Sequence, residues 1–303
     1  MDFSAIATTW ARLEPTARML LVAEGPRMPL AEAIAADNAA YVAEIEIVNI
    51  DDGDAYKQKM RSLTENDLLL VLLTMDGFMV KGYREEFSPF DKPDGLAAKY
   101  IFVRLDISEA SLLTGLNTDL AKVEDIIEAC QAYGEGKRVR VTTDKGTDIT
   151  VKVAYQELLP YHAREAGGHA FLPPAEISEE LAPGSANGVV VADVTVGEVR
   201  FGAELIDTMG LVDEPVRITV KDGMVTGIAG GDSARRLEAA LSKLGDDLRV
   251  LVELGHGLSD MAPTGIIGVD ESMNGTCHFG IGDRDPYHVD VVVANPCMVL
   301  VDG

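Results

Sequence analysis

Along the first half of the chain, apolar positions recur in blocks that switch between helical and extended spacing. Over residues 4–22, Ile6, Trp10, Leu13, Ala17 and Leu20 fall on one side of a helix and predict one. An alanine-rich block predicts a second helix over 29–41. Residues 43–50 alternate polar and apolar and predict a half-buried strand. The continuous apolar runs at 67–74 and 100–106 predict buried strands. Two helices follow at 108–116 and 120–133, the first with Ser108 as its N-cap. Alternating runs at 137–143 and 147–153 predict a hairpin around Asp144-Lys-Gly146. Helix–strand alternation of this kind is the pattern of a layered α/β domain with a largely parallel sheet.

Gly167-Gly168, Pro173-Pro174 and Pro183-Gly184 punctuate the middle of the chain, and beyond them strand patterns dominate. Residues 188–196 predict a strand. Residues 216–228 predict a hairpin turning at Asp222-Gly223, and 232–244 a helix capped by Asp232. Strand-like runs at 249–254 and 291–293 follow. The expected architecture is therefore an α/β domain over 1–165 followed by a β-rich α+β domain over 166–303. A length of 303 residues fits two cores better than one.

Composition narrows the class. With 26 Lys plus Arg against 50 Asp plus Glu, the formal net charge is −24. That field repels nucleic acid and anionic lipid, so neither is an expected partner. Solubility accounts for most of such a charge. The three cysteines, Cys130, Cys277 and Cys297, are too few and too widely spaced for a disulfide framework or a zinc knuckle. No basic segment leading into an apolar stretch opens the chain, and the run at 68–73 is too short to span a bilayer. A cytoplasmic location is the expectation. No G-x-G-x-x-G or P-loop follows a strand, so nothing points to nucleotide binding.

The candidate chemistry is concentrated near the end. Three of five histidines lie in the last 50 residues: His256, His278 and His288. In an extended strand His288 and Asp290 point to the same face, so they can offer two ligands side by side. Glu253 closes a strand-like run, and His278 follows Gly275-Thr-Cys. Imidazole and carboxylate are the usual ligands of borderline divalent cations. Each piece taken alone has an ordinary explanation as an edge or loop residue; their concentration suggests a metal site. Cys277, next to His278, faces the other way in a strand and reads as a buried structural thiol.

Several stretches in order resemble the aminopeptidase T and aminopeptidase S metallopeptidases and their relatives. They are Leu172-Pro-Pro-Ala-Glu-Ile177, the segment from Glu214 to Gly223 with Gly230-Gly231, Glu253-Leu-Gly-His-Gly-Leu258, Asp270-Glu271 leading to His278, and His288-Val-Asp290. The resemblance covers about residues 170–303. It implies metal ligation by Glu176, Glu253, His278, His288 and Asp290, with Glu176 or Glu253 as general base toward a metal-bound water. His256 falls outside the ligand positions and is expected to face substrate or support a ligand. The implied activity is hydrolysis of a small amide or N-terminal peptide bond, with zinc, cobalt or manganese as cofactor, in a homodimer. The tyrosine those peptidases use corresponds to Asp285 here, with Tyr287 nearby as the replacement catalytic residue. The relatives include the 2,5-dihydroxypyridine 5,6-dioxygenases, whose single Fe(II), held by two histidines and an aspartate, gives the alternative of oxidative ring cleavage. A non-catalytic metal-binding homologue is the third reading.

Overall fold

A computed structural model of the protein describes residues 2–283 and 288–301. The chain forms two compact units, one from Met1–Thr118 with Leu159–Ala175 and one from Asp119–Leu158 with Glu176–Gly303. It begins with β1 (Arg18–Ala23), α1 (Met28–Asn38), β2 (Glu44–Asn49), α2 (Ala55–Arg61), β3 (Leu68–Leu72), α3 (Met75–Met79), β4 (Lys99–Val103) and α4 (Glu109–Leu116) in the first unit. It enters the second unit for α5 (Leu120–Gln131), β5 (Arg138–Thr142) and β6 (Asp148–Leu158). It returns to the first for β7 (Tyr161–His162) and β8 (His169–Leu172). The second unit then takes β9 (Glu176–Leu181), β10 (Asn187–Ala192), β11 (Thr195–Phe201), β12 (Glu204–Leu211), β13 (Val216–Lys221), β14 (Met224–Ala229), α6 (Asp232–Leu244), β15 (Leu251–Gly257), α7 (Ile267–Asp270), β16 (Thr276–Gly282), β17 (His288–Ala294) and β18 (Cys297–Leu300).

The first unit is the α/β layer expected from alternation. Its sheet runs β2-β1-β3-β4-β8-β7, with every pairing parallel except the edge pair β7–β8. The expected helix over 4–22 is corrected. Only Ile6–Trp10 makes a helical turn, of the π type, and Arg18–Ala23 is the central strand β1. Met19 to Ala23 are all buried, so this strand lacks the alternation that would have distinguished it from a helix face. Ser108 does cap α4, accepting from the Ser111 amide.

The second unit is built on a 12-stranded sheet with the path β12-β11-β17-β16-β15-β9-β6-β10-β13-β14, and β5 pairs with both β6 and β18. Alternate residues of its strands form one core, including Val151, Val190, Ile218, Leu254, Phe279 and Val291. Helix α6 buries Ala234, Leu237, Ala240 and Leu241. Fully burying a leucine contributes roughly 1.5–3 kcal/mol, more than differences in helix propensity, so packing holds this helix. Its cap differs from expectation: Asp232 is the first helical residue, and the Asp213 carboxylate accepts from the Asp232 and Ser233 amides at 2.8 and 3.0 Å. The β13–β14 turn is as expected, with Asp222 and Gly223 both at positive φ.

A single division at residue 165 is not what the chain does. It crosses between units after Thr118, Leu158 and Ala175. Strand β6 pairs with β5, β9 and β10, which fixes the hairpin in the second unit, whereas β8 pairs with β4 in the first.

Candidate metal centre

Four adjacent strands, β9, β15, β16 and β17, carry the candidate donors on one face of the large sheet. The register sets Glu176 opposite Gly257, Ser178 opposite Gly255, Gly255 opposite His278, Glu253 opposite Gly280, Gly280 opposite Asp290 and Gly282 opposite His288. Directly paired residues project to the same face, so these side chains share it. The intervening residues Leu254, Cys277, Phe279, Ile281, Val289, Val291 and Val293 are buried in the core on the other face. A regular strand would put Glu253 on the same face as Leu251, which is in the core. A β-bulge between Leu251 and Glu253 reverses this and delivers the carboxylate to the donor face.

The donors fall into two groups that share Glu253: Glu176, Glu253 and His278, and Glu253, His288 and Asp290. Nε2 of His278 lies 3.3 Å from Oε2 of Glu176. Nε2 of His288 lies 3.1 Å from Oε2 of Glu253 and 2.9 Å from Oδ1 of Asp290. The Ser178 hydroxyl donates to the other oxygen of Glu253. Burial would raise the Glu253 carboxyl, but the hydrogen bond and charge of His288, with the charge of His278 and the Ser178 bond, bring it below the usual carboxylate range. Burial would lower both imidazoles. The charges of Glu176 and then Asp290, Glu271 and Glu253 raise His278, and Asp290 and Glu253 raise His288 well above 6.5.

Three carboxylates around two imidazoles fit a divalent cation. Ligand bonds of roughly 2.0–2.2 Å place neighbouring donor atoms roughly 3.0–3.5 Å apart, close to the separations found here. Donors of this mix suit zinc, manganese, cobalt or Fe(II). A cation would replace the imidazolium protons as the positive partner of the carboxylates.

Of the residues singled out in the sequence, Glu176, Glu253, His278, His288 and Asp290 are brought together on this face. His256 is not. It pairs with Ile177 and Cys277 on the opposite face, where its Nε2 lies 3.3 Å from Glu179, a carboxylate that also accepts from Gln156 at 2.7 Å. Strand alternation is the reason: 253, 255 and 257 share the donor face, and 254 and 256 take the reverse. Its expected role facing substrate is corrected accordingly. Cys277 is fully buried, and burial raises its thiol. Tyr287 and Asp285 lie outside the described residues. Sequence reasoning missed Ser178, two positions after Glu176 and therefore on its face.

The sequence profile of the NicX family, 2,5-dihydroxypyridine 5,6-dioxygenase, matches residues 16–276. The chain belongs to that family. The match ends before His278, His288 and Asp290, so those three donors rest on geometry. No curated protein matches the chain. A solved structure of a 2,5-dihydroxypyridine dioxygenase from Pseudomonas putida is similar over 98% of this chain and 92% of its own, with a TM-score of 0.60 and 16% identity. AmpT from Thermus thermophilus is similar over 99% of this chain and 94% of its own, with a TM-score of 0.58 and 12% identity. At these identities the likeness shows a shared α/β fold. The order suggested by resemblance is thus reversed: this family member stands with the dioxygenases by sequence, and with the aminopeptidases through fold alone.

Proposed function

We propose that this chain is an Fe(II)-dependent dioxygenase that opens a small hydroxylated aromatic ring, with a dihydroxypyridine as the substrate class. The observation that supports it is the group Glu253, His288 and Asp290 in a member of the dioxygenase family. Three protein donors on one side of a metal leave positions for substrate and oxygen. The set departs from two histidines and an aspartate, because Glu253 supplies a second carboxylate where the resemblance implies an imidazole.

Bound Fe(II) would supply one-electron chemistry toward oxygen and polarise a ring hydroxyl. The protein's part is to hold the donors in orientation. Ser178 fixes one oxygen of Glu253, leaving the other toward His288. His278, its Nε2 facing Glu176, would stand as a further donor beside this group, sharing Glu253 with it.

One observation favours a second reading, hydrolysis of a small amide or N-terminal peptide bond: the two donor groups share Glu253, as a carboxylate bridging two cations would. The deciding experiment is metal analysis of anaerobically purified protein with paired assays. One iron per chain, with oxygen uptake and ring cleavage of a dihydroxypyridine under air, supports the dioxygenase. Two zinc, cobalt or manganese ions per chain, with release from aminoacyl anilides and no oxygen uptake, overturns it. The Asp290→Ala variant is the blank in both.

A further inference from the structure

Each candidate donor stands against a glycine of the neighbouring strand: Glu176 against Gly257, His278 against Gly255, Glu253 and Asp290 against Gly280, and His288 against Gly282. At two of these glycines the space a side chain would need is filled by an imidazole. A Cβ on Gly255 would lie 2.1 Å from both Cε1 and Nε2 of His278. A Cβ on Gly280 would lie 2.4 Å from Cε1 and 2.6 Å from Nε2 of His288, and 2.9 Å from Cβ of Glu253. Neither glycine is among the residues at positive φ, so neither is required by its backbone conformation. What each provides is room.

A second observation shows why that room matters. A metal-bound histidine is ordinarily held in orientation by a hydrogen bond from its other ring nitrogen. Among the described residues, Nδ1 of His278 and Nδ1 of His288 are buried and have no such partner. The rings must be aimed by shape. We infer that Gly255 and Gly280 are positioning residues, bare stretches of backbone across which the two imidazoles lie so that Nε2 of each meets the carboxylates. This inference rests on the metal-centre reading above.

The two positions differ in how cleanly they can be tested. At Gly255 the obstructing atoms are the far end of one side chain, which can swing aside while the strand stays in place. At Gly280 part of the obstruction is the Cβ of Glu253, which moves only with β15. Gly255→Ala should therefore displace His278 and leave the sheet intact, whereas Gly280→Ala should also weaken β15–β16 pairing. Donor atoms must sit within about 0.2 Å of their proper distances, so a displaced ring is a lost ligand.

The test compares metal-free wild type, Gly255→Ala and the control Gly227→Ala, a strand position with nothing within 4 Å of the added Cβ. Melting temperature is measured without metal, and Co(II) affinity and d–d absorption by titration. Gly255→Ala should melt close to wild type, bind Co(II) at least roughly tenfold more weakly and show an altered d–d spectrum; Gly227→Ala should match wild type in all three. A stability cycle with His278→Ala completes the test: any loss of stability caused by Gly255→Ala should vanish once the imidazole is removed. Wild-type affinity and spectrum in Gly255→Ala would overturn the inference. So would a loss of stability that persists in the His278→Ala background, since the backbone rather than the ring would then need the glycine. If wild type itself binds no Co(II), the metal reading falls, and the cycle still decides whether Gly255 makes room for His278.

Discussion

At the scale of single residues, the candidate centre separates donors from the groups that aim them. His288→Ala and Asp290→Ala each remove a donor of the group around Glu253. Each variant should keep its fold, by circular dichroism, and lose more than roughly a hundredfold in metal affinity, because changes to supporting groups alone cost 10–100-fold. Ser178 is such a supporting group. Ser178→Ala leaves one oxygen of Glu253 free to turn, and should weaken metal binding by roughly tenfold or more at unchanged stability, measured by titration beside thermal melting. Glu253, His278, His288 and Asp290 were legible in the sequence as residue types at close spacing, and Glu176 only through the resemblance. Their division into two groups was not, because it depends on which strands are neighbours. His256 lies beyond the run predicted as a strand; β15 continues to Gly257, and its two-residue alternation turns the ring away from the donor face.

At the scale of elements, the sequence revealed what carries a period or a turn signal. The β13–β14 hairpin, α1, α4, α5 and β2 lie close to where patterning put them. The failures share one cause, which is that local pattern says nothing of long-range partners. Strand β1 is buried from Met19 onward and so has no period, the cap of α6 comes from Asp213 nineteen residues before Asp232, and the assignment of β6 to the second unit follows from its pairing. One element junction makes a pH prediction. Asp67, just before β3, accepts from the amide and guanidinium of Arg18 at the start of β1 and from the amide and hydroxyl of Thr64. Burial would raise its carboxyl, but Arg18 and Thr64 outweigh that and lower it from 3.8 to about 2. The folded form therefore binds this proton less readily than the unfolded one. Its contribution, about 2 kcal/mol, is complete above about pH 5 and is lost progressively as pH falls through 4 toward about 1. Asp67→Asn should be less stable at neutral pH and show a shallower loss of stability between pH 4 and 2, measured by urea unfolding across that range.

At the scale of the whole molecule, all five donors come from the second unit, and the core of that unit contains none of them. Binding to the folded chain alone should stabilise it by about 2.7 kcal/mol at a metal concentration one hundred times Kd, and chelation should reverse the rise in melting temperature without loss of secondary structure.

The spacing of the donors along the chain has a consequence for how the centre is assembled. Glu253, His278, His288 and Asp290 lie on three strands that follow one another as a meander, each paired to the next. Glu176 lies on β9, which closes against β15 only after the intervening β10 to β14 and α6 have been looped out. Local pairings form before distant ones, because closing a longer loop costs more chain entropy. The group around His288 can thus be complete while the group around His278 still lacks a member. Metal capture during refolding should come in two steps, the second marking the moment β9 reaches β15, so the cation itself would serve as a clock for the slowest closure in the sheet.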